Sequence, residues 1–201
     1  DGLDIDFDFS QLRPAGARLK TMGGKSSGPE PIKNLLVFAR KKLLNRQGRR
    51  LENIDAHDIM CMIGQIVVSG GVRRSAMISL SDLDDEKIRD AKKGQFYLTE
   101  GQRSLANNSA VYLQRPTEEE FLDEWIALMK SGSGERGIFN RGSLPKQVPE
   151  RRLKVWKEDG LYDGKNLTGK RLIGVNPCGE IILQSKQFCN LSEIVARKED
   201  T

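Results

Sequence analysis

Residues 3 to 9 alternate, with Leu3, Ile5, Phe7 and Phe9 between Asp4, Asp6 and Asp8, and this two-residue period predicts a strand with one apolar face. From Ser10 to Pro31 the breakers Pro14, Gly16, Gly23, Gly24, Gly28 and Pro29 interrupt any period, so a long loop is expected. Pro31 suits a first helical turn, and Ile32, Leu35, Leu36, Ala39 and Leu43 follow at helical spacing as far as Asn45. A second helix, capped by Asp55, is expected to carry Ile59, Met62, Ile63, Ile66 and Val67 up to Ser69-Gly70-Gly71. On it, His57 is expected at the surface and Cys61 in an apolar mid-helix setting.

Further along, Ala76 to Leu80 reads as a strand, Ser81 to Lys93 as a short helix running from acidic to basic, and Ala110 to Leu113 as another strand. Thr117 and Glu120 form a capping box that opens a helix over Glu118 to Lys130, with Phe121, Trp125 and Leu128 as its apolar stripe. Residues 145 to 171 are polar and basic with few periodic apolar positions, and no element is assigned there. The last unit runs from Leu172 to Ile182, apolar on both sides of Asn176-Pro177-Cys178-Gly179-Glu180, and is followed by Cys189 and a short helix from Ser192.

Composition narrows the function class. Hydrophobic residues are 37% and charged residues 30% of the chain, a globular balance, and no apolar run is long enough to span a bilayer. The net charge of +5 comes from 33 basic against 28 acidic residues spread along the chain, which argues against a dedicated RNA-binding face. Three cysteines without a secretory leader point to thiols in a reducing cytoplasm, and the lone His57 with Cys61 lacks a zinc spacing. The N-terminus has neither an initiator Met nor signal-peptide features, so a larger parent is expected.

The chemistry concentrates at Asn176 to Glu180. Pro177 removes a ladder donor and Gly179 relaxes the backbone, so Cys178 is expected on a tight loop between two apolar arms. Asn176 and Glu180 flank it with an amide and a carboxylate able to bind hydroxyls or take a proton. A buried structural turn is the alternative on spacing alone. Gly24-Lys25-Ser26 has the tail of a phosphate-binding P-loop, but Leu19 occupies the position that motif reserves for its first Gly, which excludes it.

The stretch Val175 to Ile182 resembles the finger loop of ribonucleotide reductase catalytic subunits, most like the adenosylcobalamin-dependent class. Cys189 with Asn190-Leu191-Ser192-Glu193 is similar to the site of one of that class's two reducing cysteines. Leu12 to Lys20 through Ser26-Ser27-Gly28-Pro29 resembles the family loop for effector phosphates, and Gly70 to Ala76 its specificity loop. The resemblance implies an α/β fold, residues 1–201 being part of a ten-stranded barrel of the thiyl-radical type. Within it, 10–31 is the effector-phosphate loop, 69–76 the specificity loop and 172–183 the finger loop.

By the same resemblance, Cys178 carries the radical, Glu180 takes the 3′-hydroxyl proton, Asn176 holds substrate hydroxyls and Cys189 is half of the reducing pair. Arg13, Lys20, Ser26, Ser27 and Gly28 face effector phosphate, and Arg73 or Arg74 lies between effector and substrate. Implied partners are a ribonucleotide, a deoxynucleotide effector, a dithiol reductant such as thioredoxin, and the rest of the reductase or a companion chain. Adenosylcobalamin is implied as cofactor, with its binding region outside this chain. The second reducing cysteine has no counterpart here, so the chain alone is expected to be incomplete. An inactive nucleotide-binding regulatory or assembly segment is the alternative.

Overall fold

A computed structural model describes residues 5–20, 23–69, 75–168, 173–192 and 195. The architecture is mixed α/β, as expected, and the chain divides into two compact units, Asp1–Val111 with Pro116–Phe139 and Tyr112–Arg115 with Asn140–Thr201.

In the first unit the two expected helices form where their periods place them: α1 over Glu30–Leu44 and α2 over Asn53–Ser69. Pro31 lies in the first turn of α1, where its missing N–H costs nothing. Asp55 sits inside α2 rather than capping it, and its carboxylate reaches back to accept from Glu52 N at 3.1 Å. That bond satisfies one of the orphan donors at the helix start, which explains why the helix begins three residues early, at Asn53.

Of the strand expected over residues 3 to 9, the described part, 5–9, does not form. Within the described residues 5–9 the backbone pairs with no strand, and Ile5 and Phe7 are exposed. The alternation still puts Phe7 and Phe9 on one side, their rings 6.1 Å apart, along a groove they line with Leu36, Val37 and Leu43 of α1. Period-two alternation specifies a face, whereas a strand also needs a neighbour for its N–H and C=O groups.

Strands β1 (Met77–Ser81) and β2 (Ala106–Tyr112) run parallel, Met77 opposite Ala106 and Ser81 opposite Ala110, and β3 (Gly137–Asn140) joins the far edge of β2. Strand β2 is longer than expected, since Ala106, Asn108 and Ala110 point into the interior ahead of Val111. The helix expected over 81 to 93 shrinks to α3 (Glu86–Arg89), because Asp85 caps it by accepting from Ile88 N and the residues before it form turns.

Helix α4 (Glu118–Ser131) has both halves of the expected capping box and ends at Gly132 in the left-handed conformation. Its apolar stripe, however, faces outward. Phe121 and Trp125 are exposed and stacked at 6.2 Å, and the residue α4 buries is Glu124. The carboxylate of Glu124 takes two bonds from buried Arg136, 2.9 Å from Nε and 2.6 Å from Nη2, while Nη1 donates to Ser81 Oγ at 2.8 Å. A fork-to-fork ion pair replaces apolar contact on that face.

The second unit contains helices in the stretch left unassigned by periodicity: α5 (Leu144–Gln147) and α6 (Glu150–Glu158). Trp156, 1% exposed, anchors α6 in a core with Leu144, Leu161, Leu167, Ile173 and Val175. Burying an indole removes on the order of 200 Å² from water, about 5 kcal/mol of hydrophobic stabilisation, enough for one residue to hold a short charged helix. Strands β4 (Ile173–Val175) and β5 (Ile182–Gln184) form an antiparallel hairpin with Val175 opposite Ile182. Ser192 lies in irregular backbone, and most of the helix expected after it lies outside the described residues.

Candidate functional site

The hairpin presents Cys178. Asn176 N donates to Ile181 O at 3.0 Å and Gly179 N to Asn176 O at 2.9 Å, closing a four-residue turn with Pro177 and Cys178 at its centre. Asn first, Pro second and Gly fourth are the residues such a turn favours, and Gly179 has φ +89°. The thiol is exposed at the tip, as the loop argument expected.

Asn176 is the organiser of this turn. It is buried, its Oδ1 accepts from Ile181 N at 2.9 Å, and its Nδ2 donates to Glu180 Oε1 at 2.7 Å. The same Nδ2 is 4.0 Å from Cys189 Sγ, the outer limit for a contact to sulfur. One amide therefore gathers Glu180 and Cys189 beside the Cys178 turn, and all four predicted catalytic positions fall in one place. Chemically this is an exposed thiol, a neighbouring carboxylate able to accept a proton, and a second, half-buried thiol.

The basic loop forms a small hairpin of its own. Arg18 pairs with Lys25 in an antiparallel bridge, Gly16 N donates to Ser26 O at 2.8 Å, and Ser26 N donates to Ala17 O at 2.7 Å. Ser26 Oγ donates to Arg13 O at 3.2 Å and accepts from Gly28 N at 3.1 Å, so Ser26 spends its hydroxyl on the backbone. Gly28 has φ +73° and packs so closely that an added Cβ would lie 2.9 Å from Ala15 N. Arg13 and Lys20 are exposed, and Ser27 is half-buried beside Gly28. In the stretch expected to be a specificity loop, Arg73 and Arg74 lie outside the described residues, with 70–74 as a whole.

Sequence reasoning missed a buried polar cluster on α2. His57 is buried, not on the helix surface, because its Nε2 meets Asn108 Oδ1 of β2 at 3.0 Å. Its Nδ1 faces Cys61 Sγ at 3.7 Å and Asp58 Oδ1 at 3.6 Å. Asp58 is fully buried and accepts from Arg103 Nε (2.6 Å), Arg103 Nη2 (2.9 Å) and Lys42 Nζ (2.6 Å). Burial pushes the imidazole pKa down, but Asp58, Cys61 and Asn108 outweigh it and hold it raised at about 9. Burial likewise raises the Asp58 carboxyl, and the bonds from Arg103, His57 and Lys42 overcome that to hold it well below the carboxylate range. The i, i+4 spacing of His57 and Cys61 was visible in the sequence, but Asn108, which holds His57, comes from β2, and Arg103, which holds Asp58, comes from the turn at Gly101–Leu105.

The chain is 35% identical over 189 residues, 93% of its length, to the adenosylcobalamin-dependent ribonucleoside-triphosphate reductase of Lacticaseibacillus paracasei. It is 35% identical over 194 residues to the enzyme of that name from Lactobacillus leichmannii, and 29% over 198 residues to the one from Euglena gracilis. All three relatives are named adenosylcobalamin-dependent ribonucleoside-triphosphate reductases. The chain spans about a quarter of their length, 23% of the two lactobacillar proteins and 25% of the Euglena one. No family model and no solved structure matches it.

Adenosylcobalamin needs a broad enclosing face for its corrin. The turn around Cys178 is open, and neither the groove between residues 5–9 and α1 nor the one between α6 and β5 has Cys178 in its wall. Neither of these grooves sets the thiol beside a corrin-sized face, and no chemical step runs through the cofactor. No described helix is long and apolar enough to cross a membrane.

Proposed function

We propose that the chain is a segment of a ribonucleotide reductase that converts ribonucleotides to 2′-deoxyribonucleotides for DNA synthesis, within a ten-stranded thiyl-radical barrel. The observation that carries this reading is the single amide of Asn176, which ties Glu180 and Cys189 to the turn exposing Cys178. In this reading Cys178, as a thiyl radical, takes the 3′ hydrogen of the ribose, and Glu180 accepts the 3′-hydroxyl proton. The 2′-hydroxyl leaves as water. Two thiols, Cys189 and one outside this segment, become a disulfide and supply two electrons and two protons: one proton completes the departing water, the other with the two electrons leaves a C–H bond at C2′, and Glu180 returns its proton to O3′. The hydrogen held by Cys178 then returns to C3′. A dithiol such as thioredoxin resets the pair, which suits a reducing cytoplasm.

Arg13 and Lys20, on a loop whose backbone is closed by Ser26 and Gly28, bind the phosphates of a deoxynucleotide effector. Ser27 lines that loop, and Arg73 and Arg74 relay effector identity. Adenosylcobalamin is the cofactor assigned to the whole enzyme, held by residues outside this segment.

The test compares Cys178→Ala with Cys189→Ser in the full-length protein, using 3′-deuterated ribonucleotide. Cys178→Ala should release no deuterium, whereas Cys189→Ser should release it without multiple turnover to deoxynucleotide. Deuterium loss from the first variant, or sustained product from the second, overturns that residue's assignment. A wild-type protein that binds deoxynucleotides and releases no deuterium would instead be the inactive regulatory segment.

A further inference from the structure

Helix α6 ties down the hairpin at two points, and one side chain makes both ties. Arg152 Nη2 donates to Ile182 O at 2.6 Å and to Gln187 Oε1 at 3.4 Å. Ile182 opens β5 opposite Val175, the residue before Asn176, so the first bond holds the arm that bears the Cys178 turn. Gln187 closes the next turn. Its Oε1 accepts from Gln184 N at 2.9 Å, its Nε2 donates to Gln184 Oε1 at 2.8 Å, and Lys186 within that turn has φ +66°. Cys189 follows two residues later, with Asn176 Nδ2 at 4.0 Å from its sulfur. A further tie, outside α6 itself, runs from Gln184 Nε2 to Asp159 Oδ2 at 3.0 Å, just past the end of the helix.

We propose that Arg152 is a positioning residue that fixes the Cys189 segment against the Cys178 turn, so that the reducing thiol stays in register with the radical thiol. This rests on the reading that both cysteines serve one reaction. Both bonds leave the planar Nη2, whose two N–H directions the guanidinium fixes, whereas an ammonium carries its three donors on a flexible stem and holds the same two oxygens less firmly. The neighbouring Arg151 is exposed and has no partner among the described residues, so it serves as the matched control.

The experiment has two arms. In the 201-residue chain, iodoacetamide labelling of Cys178 and Cys189 is followed peptide by peptide for wild type, Arg152→Ala, Arg152→Lys, Gln187→Ala and Arg151→Ala. The expected result is a severalfold faster Cys189 reaction in Arg152→Ala and Gln187→Ala, a smaller rise in Arg152→Lys, and Cys178 unchanged within twofold throughout. Arg151→Ala should match wild type. Equal acceleration of both thiols in Arg152→Ala and Gln187→Ala, the sign of general unfolding, overturns the proposal, as does no change at Cys189.

In the full-length protein, Arg152→Ala should keep 3′-deuterium loss and substrate KM near wild type while multiple-turnover product falls at least tenfold, with part restored in Arg152→Lys. A parallel fall in deuterium loss and product overturns the positioning role even if Cys189 is selectively exposed. Wild-type protein without Cys178-dependent deuterium loss defeats the reductase reading instead, and the labelling arm still decides the clamp.

Discussion

Asp58→Asn is the most informative single change in the first unit. Asp58 is 0% exposed and receives three charged donors, two from Arg103 and one from Lys42, with His57 Nδ1 at 3.6 Å. An Asn of the same shape keeps one acceptor oxygen and turns the other into a donor. With its oxygen toward Lys42 and Arg103 Nη2, its NH₂ confronts Arg103 Nε and the imidazole. Two cations and a protonated His57 then share only Glu100, 3.5 Å from Lys42 and 3.9 Å from Arg103, as counter-charge in a site where Arg103 and Lys42 are only 15% and 18% exposed.

Removing one partner from a buried ion pair costs about 3–5 kcal/mol, because the remaining charge stays desolvated. At about 2–4 °C per kcal/mol for a chain of this size, the midpoint should fall on the order of 10 °C. Because the chain has two compact units, the assay is urea-dependent hydrogen exchange read separately on α2 and β2 peptides and on the hairpin. Lys42→Met is the companion: Asp58 keeps both Arg103 bonds in that variant, so its cost should stay near 1 kcal/mol. A loss below about 1 kcal/mol in Asp58→Asn, or an equal loss in both, would refute the view that this carboxylate is the electrostatic centre of the unit.

The His57 pKa sets a pH dependence. Its folded value of about 9 lies above the unfolded 6.5, so its stabilisation is full below pH 6.5 and is lost as pH rises through 9. Wild-type stability should therefore decline from pH 6 to pH 9 by up to roughly 3 kcal/mol, and His57→Gln should flatten most of that slope; identical slopes in denaturant titrations would contradict it. For the basic loop, Arg13→Ala or Lys20→Ala in the full-length protein should weaken deoxynucleotide effector binding roughly tenfold or more, measured by calorimetry, and unchanged affinity in both would move the phosphate site elsewhere.

The sequence was most legible where local chemistry decides the structure. The Thr117 and Glu120 capping box, Pro31 in a first turn and the Asn-Pro-Cys-Gly turn are each settled within four residues, and each forms as expected. Where the outcome depends on a distant partner, periodicity misled. Residues 5–9 alternate without a strand to pair with, and the stripe of Phe121 and Trp125 is exposed because Arg136 claims the opposite face of α4 through Glu124. Helix α6 left almost no apolar signal, since Trp156 is its only buried residue, and Arg152 reads as one basic residue among several until β5 lies against it. The mixed α/β class was readable; which buried charges meet was not.

The three cysteines show why the candidate site sits on a turn and not on a helix. Cys61, at the middle of α2, is 0% exposed and faces an imidazole that is itself pinned between Asn108 and Asp58. A thiol so placed cannot meet a sugar or exchange with a dithiol without opening the unit, so burial excludes it as the missing reducing partner. Cys178 has the opposite arrangement. Its turn satisfies its own backbone groups through Asn176, Gly179 and Ile181, so the sulfur can project while the polypeptide beneath it stays closed. Cys189 lies between these extremes, half-buried and within reach of the Asn176 amide. In the proposed reading Cys189 waits through the radical step and then forms a disulfide with a second thiol, which calls for both shelter and a route out. In that reading Asn176, beside the sulfur, and Arg152, through Ile182 and Gln187, provide the shelter with a few hydrogen bonds, each weak enough to be remade once per turnover.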